Sequence, residues 1–82
     1  MNKLLIEVYV PAINKVYDVI VPDDAKVYEL TPLLTGAVER LAEGLYIANQ
    51  ATLCDGETGK IYEGNVTLEE MKLENGSRVM LI

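Results

Sequence analysis

The sequence predicts an α+β fold in which a mixed β-sheet packs against one amphipathic helix. Short runs of β-branched and large apolar residues lie near both ends of the chain, bounded by Pro, Asn and Gly. Between them, one long segment repeats apolar residues every three or four positions, the spacing of a helix with one apolar stripe. That stripe needs a covering surface, and a sheet with one apolar face supplies it. The 82 residues suit one small domain, predicted to span 1–82.

The first two apolar runs predict a β-hairpin. Residues 3–10 form the first run, residues 11–15 interrupt it with Pro and Asn, and residues 16–21 form the second run. Pro22, Asp23 and Asp24 end the second strand, because Pro has no N–H for the sheet and the acids favour a turn.

A helix follows, and its start has two interpretations. The apolar stripe consists of Val27, Leu30, Leu34, Val38, Leu41 and Leu45. Thr31 and Pro32 resemble an N-cap and a first helical residue. The stripe begins earlier, after two acids that suit a helix N-terminus, and we therefore expect one helix over residues 27–43 with Pro32 in its early turns. Gly44 suits the left-handed position after the helix.

The remaining elements are short. Residues 51–54 predict a strand, residues 55–60 a turn and residues 61–62 a returning strand. Thr67 and Glu70 have the spacing of a capping box that opens a short helix, which Asn75 and Gly76 end. Residues 77–82 predict the last strand. The order is β-β-α-β-β-(short helix)-β, and the first and last strands can pair in parallel at the centre of the sheet, which is the β-grasp architecture.

Composition argues against several classes of partner. The net charge is −6, and no two of the seven basic residues are neighbours, so neither nucleic acid nor an anionic membrane surface is an expected partner. The longest apolar runs, at residues 45–48 and 79–82, are far shorter than the ~20 residues that cross a membrane, so no membrane insertion is expected. Glu7 comes too early for a signal peptide, which predicts a cytoplasmic protein.

The residue types predict no enzyme, no metal and no cofactor. The sequence has no His and one Cys, Cys54, so a Cys cluster for zinc or iron–sulfur and the usual base of a nucleophilic triad are missing. Asp55, Glu57 and Glu63 surround a Gly-containing turn but lack the spacing of a calcium loop. We interpret Asp23 and Asp24 as helix-capping residues and Cys54 as an ordinary strand residue.

Strand alternation predicts an apolar surface on the side of the sheet away from the helix. The side chains placed there are Leu5, Tyr9, Ile20, Met80 and Ile82. An exposed apolar patch on a monomer commonly marks an interaction site, so we expect it to bind a protein partner or a second copy in a homodimer. The alternative is that these are ordinary surface residues separated by Glu7, Asp18 and Arg78.

Two resemblances add to this interpretation. Residues 62–73 are similar to the segment before the last strand of ubiquitin: an apolar residue, an acid, a Gly turn and Thr-Leu-x-acid. More closely, the chain resembles the YukD/EsaB group of small ubiquitin-like proteins from Gram-positive bacteria, through its size, Leu53-Cys54-Asp55 with Lys60-Ile61, and residues 75–78 before an apolar terminus. This resemblance implies a non-enzymatic cytosolic accessory protein of a type VII (WXG-type) secretion system.

One departure from ubiquitin bears on function. Ubiquitin and the sulfur carriers end in a flexible Gly-Gly tail whose carboxylate is activated, whereas this sequence ends Val79-Met80-Leu81-Ile82. We therefore expect neither conjugation nor sulfur transfer. Two alternatives stay open: an interaction module, structural or regulatory, unrelated to secretion, and a carrier activated at its C-terminus.

Overall fold

A computed structural model describes residues 2–46 and 51–82. Within them lie four strands and one helix: β1 (Lys3–Val10), β2 (Lys15–Pro22), α1 (Val27–Leu41), β3 (Leu53–Asp55) and β4 (Arg78–Leu81). A short 3-10 turn, Pro11–Ile13, joins β1 to β2. The apolar run at residues 45–48 lies partly outside the described residues.

The four strands form one sheet in the order β2-β1-β4-β3. β1 is antiparallel to β2 and parallel to β4, and β3 is antiparallel to β4. The prediction that the first and last strands pair in parallel at the centre is therefore confirmed, as is the α+β class.

The hairpin between β1 and β2 turns at Asn14. Its φ of 52° is left-handed, a conformation that Asn adopts more readily than most residues. Its N–H donates to the Pro11 carbonyl at 3.1 Å, which closes the turn. The Pro/Asn break at residues 11–15 thus does what the sequence predicts.

Helix α1 begins at Val27, so the earlier of its two predicted starts is confirmed. Lys26 is the N-cap, and its N–H donates to Glu29 Oε1 at 3.1 Å. The next two N–H groups, of Val27 and Tyr28, donate to carbonyls of Val66 (3.0 Å) and Gly64 (2.9 Å). These N–H groups at the N-terminal end of α1 are therefore hydrogen-bonded to a loop that is distant in sequence.

The expectation that Asp23 and Asp24 cap the helix is wrong. Asp23 Oδ1 instead accepts the Asn2 N–H at 3.2 Å, and the Asp23 carbonyl accepts the Glu69 N–H at 2.9 Å. Asp23 thus ties the turn after β2 to two other parts of the chain, while Glu29 supplies the capping carboxylate.

The buried stripe of α1 differs from the predicted one near its end. Leu41 and Leu45 are 55% and 72% exposed, and Ala42 is buried in their place. The buried residues Leu30, Leu34, Val38 and Ala42 follow a four-residue step, and such a row winds around the helix at an angle to its axis. This row packs in the core, and Leu41 lies outside it.

The helix ends at Leu41, two residues before its predicted end. Left-handed φ values occur at Glu43 (50°) as well as at Gly44 (89°). The first left-handed position after the helix is therefore filled by Glu43, and the predicted glycine follows it.

The core lies between α1 and the inner face of the sheet. Its strand residues alternate as predicted, and they are Ile6, Val8, Val10, Val21, Leu53, Val79 and Leu81. Leu68, from the segment before β4, is also fully buried in this cluster.

Two short predicted elements are reduced. The returning strand at residues 61–62 amounts to one isolated bridge between Ile61 and Cys54. The Thr67/Glu70 capping box is present, with the Thr67 N–H on Glu70 Oε1 and the Glu70 N–H on Thr67 Oγ1, both at 3.1 Å. It opens a turn that is not continued into the predicted helix, because Lys72 has a left-handed φ of 60°.

Candidate interaction surface

The side of the sheet away from α1, here called the outer face, is built in rows across the strands. Residues that oppose each other in register point to the same face. Leu5 opposes Ile20 in one row. The next row is Asp18, Glu7 and Arg78, and the third is Val16, Tyr9, Met80 and Cys54.

The charged row (Asp18, Glu7 and Arg78) divides the outer face. Arg78 Nε and Nη2 donate to Glu7 Oε1 at 3.0 and 2.8 Å. Glu7 also faces the Asp18 carboxylate across the β1–β2 pair. The five residues of the predicted patch therefore lie in two groups, one on each side of this row.

Leu5 and Ile20 form the first group, here the Leu5 pair. They oppose each other directly and are 43% and 66% exposed. The backbone of Leu5 is fixed by Asn75 Oδ1, which accepts its N–H at 2.8 Å, and by the Gly76 N–H, which donates to its carbonyl at 2.7 Å. The Leu5 pair is thus an exposed apolar spot on rigid backbone.

Tyr9, Met80, Ile82 and Val16 form the second group, here the Tyr9 group. Tyr9 and Met80 are half-buried neighbours in register, and the Tyr9 hydroxyl lies 3.2 Å from Asn14 Oδ1, to which it donates. Ile82 is 54% exposed, and its backbone makes two hydrogen bonds with Thr52, at 2.7 and 3.0 Å. Val16 is also exposed and opposes Tyr9.

Two exposed residues of the outer face are absent from the predicted patch. The first is Val16. The alternation of β2 points its side chain outward, and the register of the hairpin pairs it with Tyr9. Ile61 is exposed and joins the third row through its bridge to Cys54. No signal in the sequence indicates that bridge, since it depends on how residues 55–60 fold back.

Cys54 lies in the third row yet is fully buried. Burial raises the pKa of its thiol, so the protonated form is favoured. A thiol in this state is a poor nucleophile. Its surroundings match the interpretation of an ordinary strand residue.

Asp55 organises the turn after β3. Its Oδ1 accepts the N–H groups of Glu57 (2.7 Å) and Thr58 (3.0 Å), and its Oδ2 accepts the Tyr62 hydroxyl at 3.3 Å. The two N–H groups hold the pKa of Asp55 below its ordinary value, while burial and the Asp55 charge raise the pKa of Tyr62 to about 12. Both carboxylate oxygens thus serve the turn.

The described residues contain no group of three or more His, Cys, Asp or Glu side chains that could hold a metal ion. One open groove of about 300 Å³ is lined by Lys60, Ile61, Tyr62, Glu63, Val66 and Met71. Tyr62, with its raised pKa, is protonated at neutral pH. Within residues 2–46 and 51–82, no helix is both long and apolar enough to cross a membrane.

A second set of apolar side chains is exposed away from the sheet. Its members lie on α1 or just after it, and they are Tyr28, Leu33, Leu41 and Leu45. Sequence reasoning placed Leu41 and Leu45 in the core and therefore missed this set.

Comparison with solved structures shows a ubiquitin-like β-grasp fold. The chain is similar to the ubiquitin-like domain of the type VII secretion protein EccD1 of Mycobacterium tuberculosis, with a TM-score of 0.80, 9% identity, and coverage of 100% of this chain and 99% of that one. The EccD5 ubiquitin-like domain of Mycobacterium xenopi gives 0.75 and 16% over 100% and 94%. A chain of the MycP5-free ESX-5 inner membrane complex gives 0.85 and 18%, over 98% of this chain and 20% of the longer one.

No protein-family model matches the sequence, and the search of curated proteins gives no match. The same fold also occurs in a chain of the toluene 4 monooxygenase HD complex, at a TM-score of 0.78 and 7% identity. Since one fold serves both settings, function has to be argued from the surface of this chain.

Proposed function

We propose that the chain is a single ubiquitin-like domain that works by binding protein, as a non-enzymatic accessory component of a type VII secretion system in the cytoplasm of a Gram-positive bacterium. The observation that carries the binding role is the outer face, where apolar side chains stand exposed on hydrogen-bonded strands. The similarity to EccD ubiquitin-like domains supports the link to secretion. The resemblance to the YukD/EsaB group supports the same system and host.

The outer face suits contact with a protein. The Leu5 pair and the Tyr9 group lie on either side of a charged row, so apolar contact and charge are presented together. Burying about five medium-sized apolar side chains contributes several kcal/mol before association entropy is subtracted. That is sufficient for a transient complex, and self-association into a homodimer is the competing occupant of the same surface.

The proposal includes no conjugation at Ile82. Its backbone N–H and carbonyl both pair with Thr52, which holds this residue in the sheet. An activating enzyme needs a flexible segment with small side chains. Ile82 has a branched side chain, and its backbone is held beside Thr52. Incubation with ATP and host extract, followed by intact-mass measurement, should show no adduct; an adduct on Ile82 would support the carrier alternative.

The binding role is tested by charge substitutions on the outer face. Leu5→Glu and Ile82→Glu place a carboxylate in each apolar group, at exposed positions where folding should persist. Both should reduce capture of type VII secretion components from extract of the host, identified by mass spectrometry. Leu33→Glu, on the exposed side of α1, is the matched control and should bind like the wild type.

Unchanged capture by both outer-face variants would reject this surface. Light scattering on the same proteins decides whether the occupant is a second copy, since a homodimer would dissociate in Leu5→Glu or Ile82→Glu. Neighbouring genes for an FtsK-type ATPase and WXG-type substrates would favour secretion over an interaction module with another role.

A further inference from the structure

Strand β2 forms an open edge of the sheet. It is eight residues long, it pairs with β1 on one side, and no other strand of the described residues lies beyond it. An exposed strand edge carries unpaired N–H and C=O groups that can bond to another extended chain.

The hydrogen bonds identify which groups of β2 face the open side. In an antiparallel pair, bonded and non-bonded residue pairs alternate. The Asp23 N–H donates to the Asn2 carbonyl at 2.8 Å, so the bonded pairs continue at Leu4–Val21 and Ile6–Val19. Pro22, which has no N–H, correspondingly belongs to the non-bonded pair Lys3–Pro22.

Val16, Asp18 and Ile20 therefore direct their backbone N–H and C=O groups away from β1. Their side chains all lie on the outer face, where Val16 and Ile20 are exposed. The open edge thus presents an apolar, an acidic and an apolar side chain beside three free pairs of backbone groups.

Asp18 is the uncompensated charge of this edge. Arg78 donates both of its hydrogen bonds to Glu7, and no hydrogen bond or ion pair within the described residues reaches Asp18. Directly opposed charges of like sign destabilise a strand pair, whereas opposite charges stabilise it. A strand that places Lys or Arg opposite Asp18 is therefore favoured.

A second copy of β2 fits this edge poorly. Symmetric antiparallel pairing centred on Asp18 would set it against Asp18 of the other copy. Shifting the register by two residues would set each Asp18 against Val16 or Ile20, and an acid against an apolar residue gains no charge pair. The edge thus disfavours self-pairing and selects a partner of other sequence.

We infer that β2 binds an extended segment of a partner protein by strand addition, and that the segment carries a basic residue flanked two positions away on each side by apolar residues. The basic side chain faces Asp18, and the apolar side chains pack on Val16 and Ile20. This inference rests on the proposed protein-binding function and names the binding edge and the chemistry of the partner.

Capped synthetic peptides test the inference directly. The probe is Thr-Val-Thr-Lys-Thr-Ile-Thr, and its comparison peptides carry Glu in place of Lys or an N-methyl group on the Lys backbone nitrogen. Titration into isotope-labelled protein, followed by NMR, should shift the amides of Val16, Asp18 and Ile20. The Lys peptide should bind about threefold to tenfold more tightly than the Glu peptide, and N-methylation should weaken it.

Asp18→Lys should invert this preference, because it reverses the charge that faces the central residue of the peptide. Asp24→Lys makes the same charge change at an exposed site off the sheet and should keep the wild-type preference. Added salt should reduce the difference between the two peptides.

The inference is overturned if no peptide binds, if wild type and Asp18→Lys share one preference, if N-methylation has no effect, or if the shifted amides lie elsewhere. Its failure is distinguishable from that of the proposed function. If Leu5→Glu and Ile82→Glu abolish partner capture while Asp18→Lys leaves it intact, the outer face binds the partner without strand addition at β2.

Discussion

Arg78 donates two hydrogen bonds to one carboxylate oxygen of Glu7, from Nε at 3.0 Å and from Nη2 at 2.8 Å. These residues are 71 positions apart and meet across the parallel pair of β1 and β4. Both side chains are partly exposed, which limits the strength of the ion pair.

Substitutions in the charged row should lower the free energy of unfolding by unequal amounts. Arg78→Gln leaves Glu7 facing Asp18 with no cation on its other side, whereas Glu7→Gln removes that repulsion together with the ion pair. Urea unfolding should therefore show Arg78→Gln to be the more destabilising change, with a Glu7–Arg78 coupling below about 1 kcal/mol in a double-mutant cycle. Asp18→Asn should recover part of the loss in the Arg78→Gln background. Equal costs would contradict this reading of the row.

Gly56, in the turn after β3, leaves no room for a side chain. A Cβ at this position would lie 2.6 Å from the Arg78 carbonyl oxygen and 2.8 Å from its carbon, and backbone cannot easily give way. Gly56→Ala should lower the free energy of unfolding by about 1–3 kcal/mol. Gly64→Ala is the control, because its Cβ would meet Tyr28 Cβ at an ordinary 3.5 Å. Similar urea midpoints for the two variants would refute the steric account.

Glu43 has a backbone conformation in which glycine should be tolerated without loss of stability. Its φ of 50° is left-handed, and such a conformation costs an L-residue about 1–2 kcal/mol, while glycine adopts it freely. Glu43→Gly should therefore raise the melting temperature or leave it unchanged. Ala37→Gly introduces the same residue inside α1 and should cost about 1 kcal/mol. A Glu43→Gly protein as destabilised as Ala37→Gly would count against the strain.

The Asp55 carboxylate should stabilise the fold by an amount that depends on pH. The N–H groups of Glu57 and Thr58 lower the pKa of Asp55 in the folded state below 3.8, its ordinary value. The folded chain thus favours the carboxylate, and the resulting stabilisation is complete above the unfolded pKa and is lost as the pH falls through the folded pKa. Asp55→Asn should be less stable than the wild type at pH 7, and the gap should narrow at pH 3.

The control for this pH effect is Asp24→Asn. Within the described residues, no hydrogen bond reaches the Asp24 side chain, so this variant should track the wild type at both pH values. Chemical denaturation of the three proteins gives the comparison. A gap between wild type and Asp55→Asn that stays constant from pH 7 to pH 3 would show that the charge of Asp55 is not responsible.

Local patterns were sufficient for most of the fold. Alternation in β1 and β2, the Asn14 turn and the helical spacing from Val27 each depend on neighbouring residues, and each is confirmed. The exposure of Leu41 was not predictable in this way, because it depends on which row of α1 the rest of the chain covers. Two acceptors at the start of α1, the carbonyls of Gly64 and Val66, were missed for a related reason, since they are distant in sequence.

The surface was predictable by face and less so by arrangement. Alternation places Leu5, Tyr9 and Ile20 outward from sequence alone. Their division into two groups needs the register between β1 and β4, which brings Arg78 beside Glu7 and depends on how the whole chain closes. The interface role of all five predicted residues stays a prediction.

The two middle strands of the sheet, β1 and β4, come from opposite ends of the described chain. A nascent polypeptide cannot assemble this centre until Arg78–Leu81 has left the ribosome. Until then, the β1–β2 hairpin and α1 lack the strand that pairs with β1. Closing so large a loop slows folding relative to local contacts. The centre of the sheet therefore forms only after residues 78–81 are available, and nascent chains halted before residue 78 should be readily degraded by proteases.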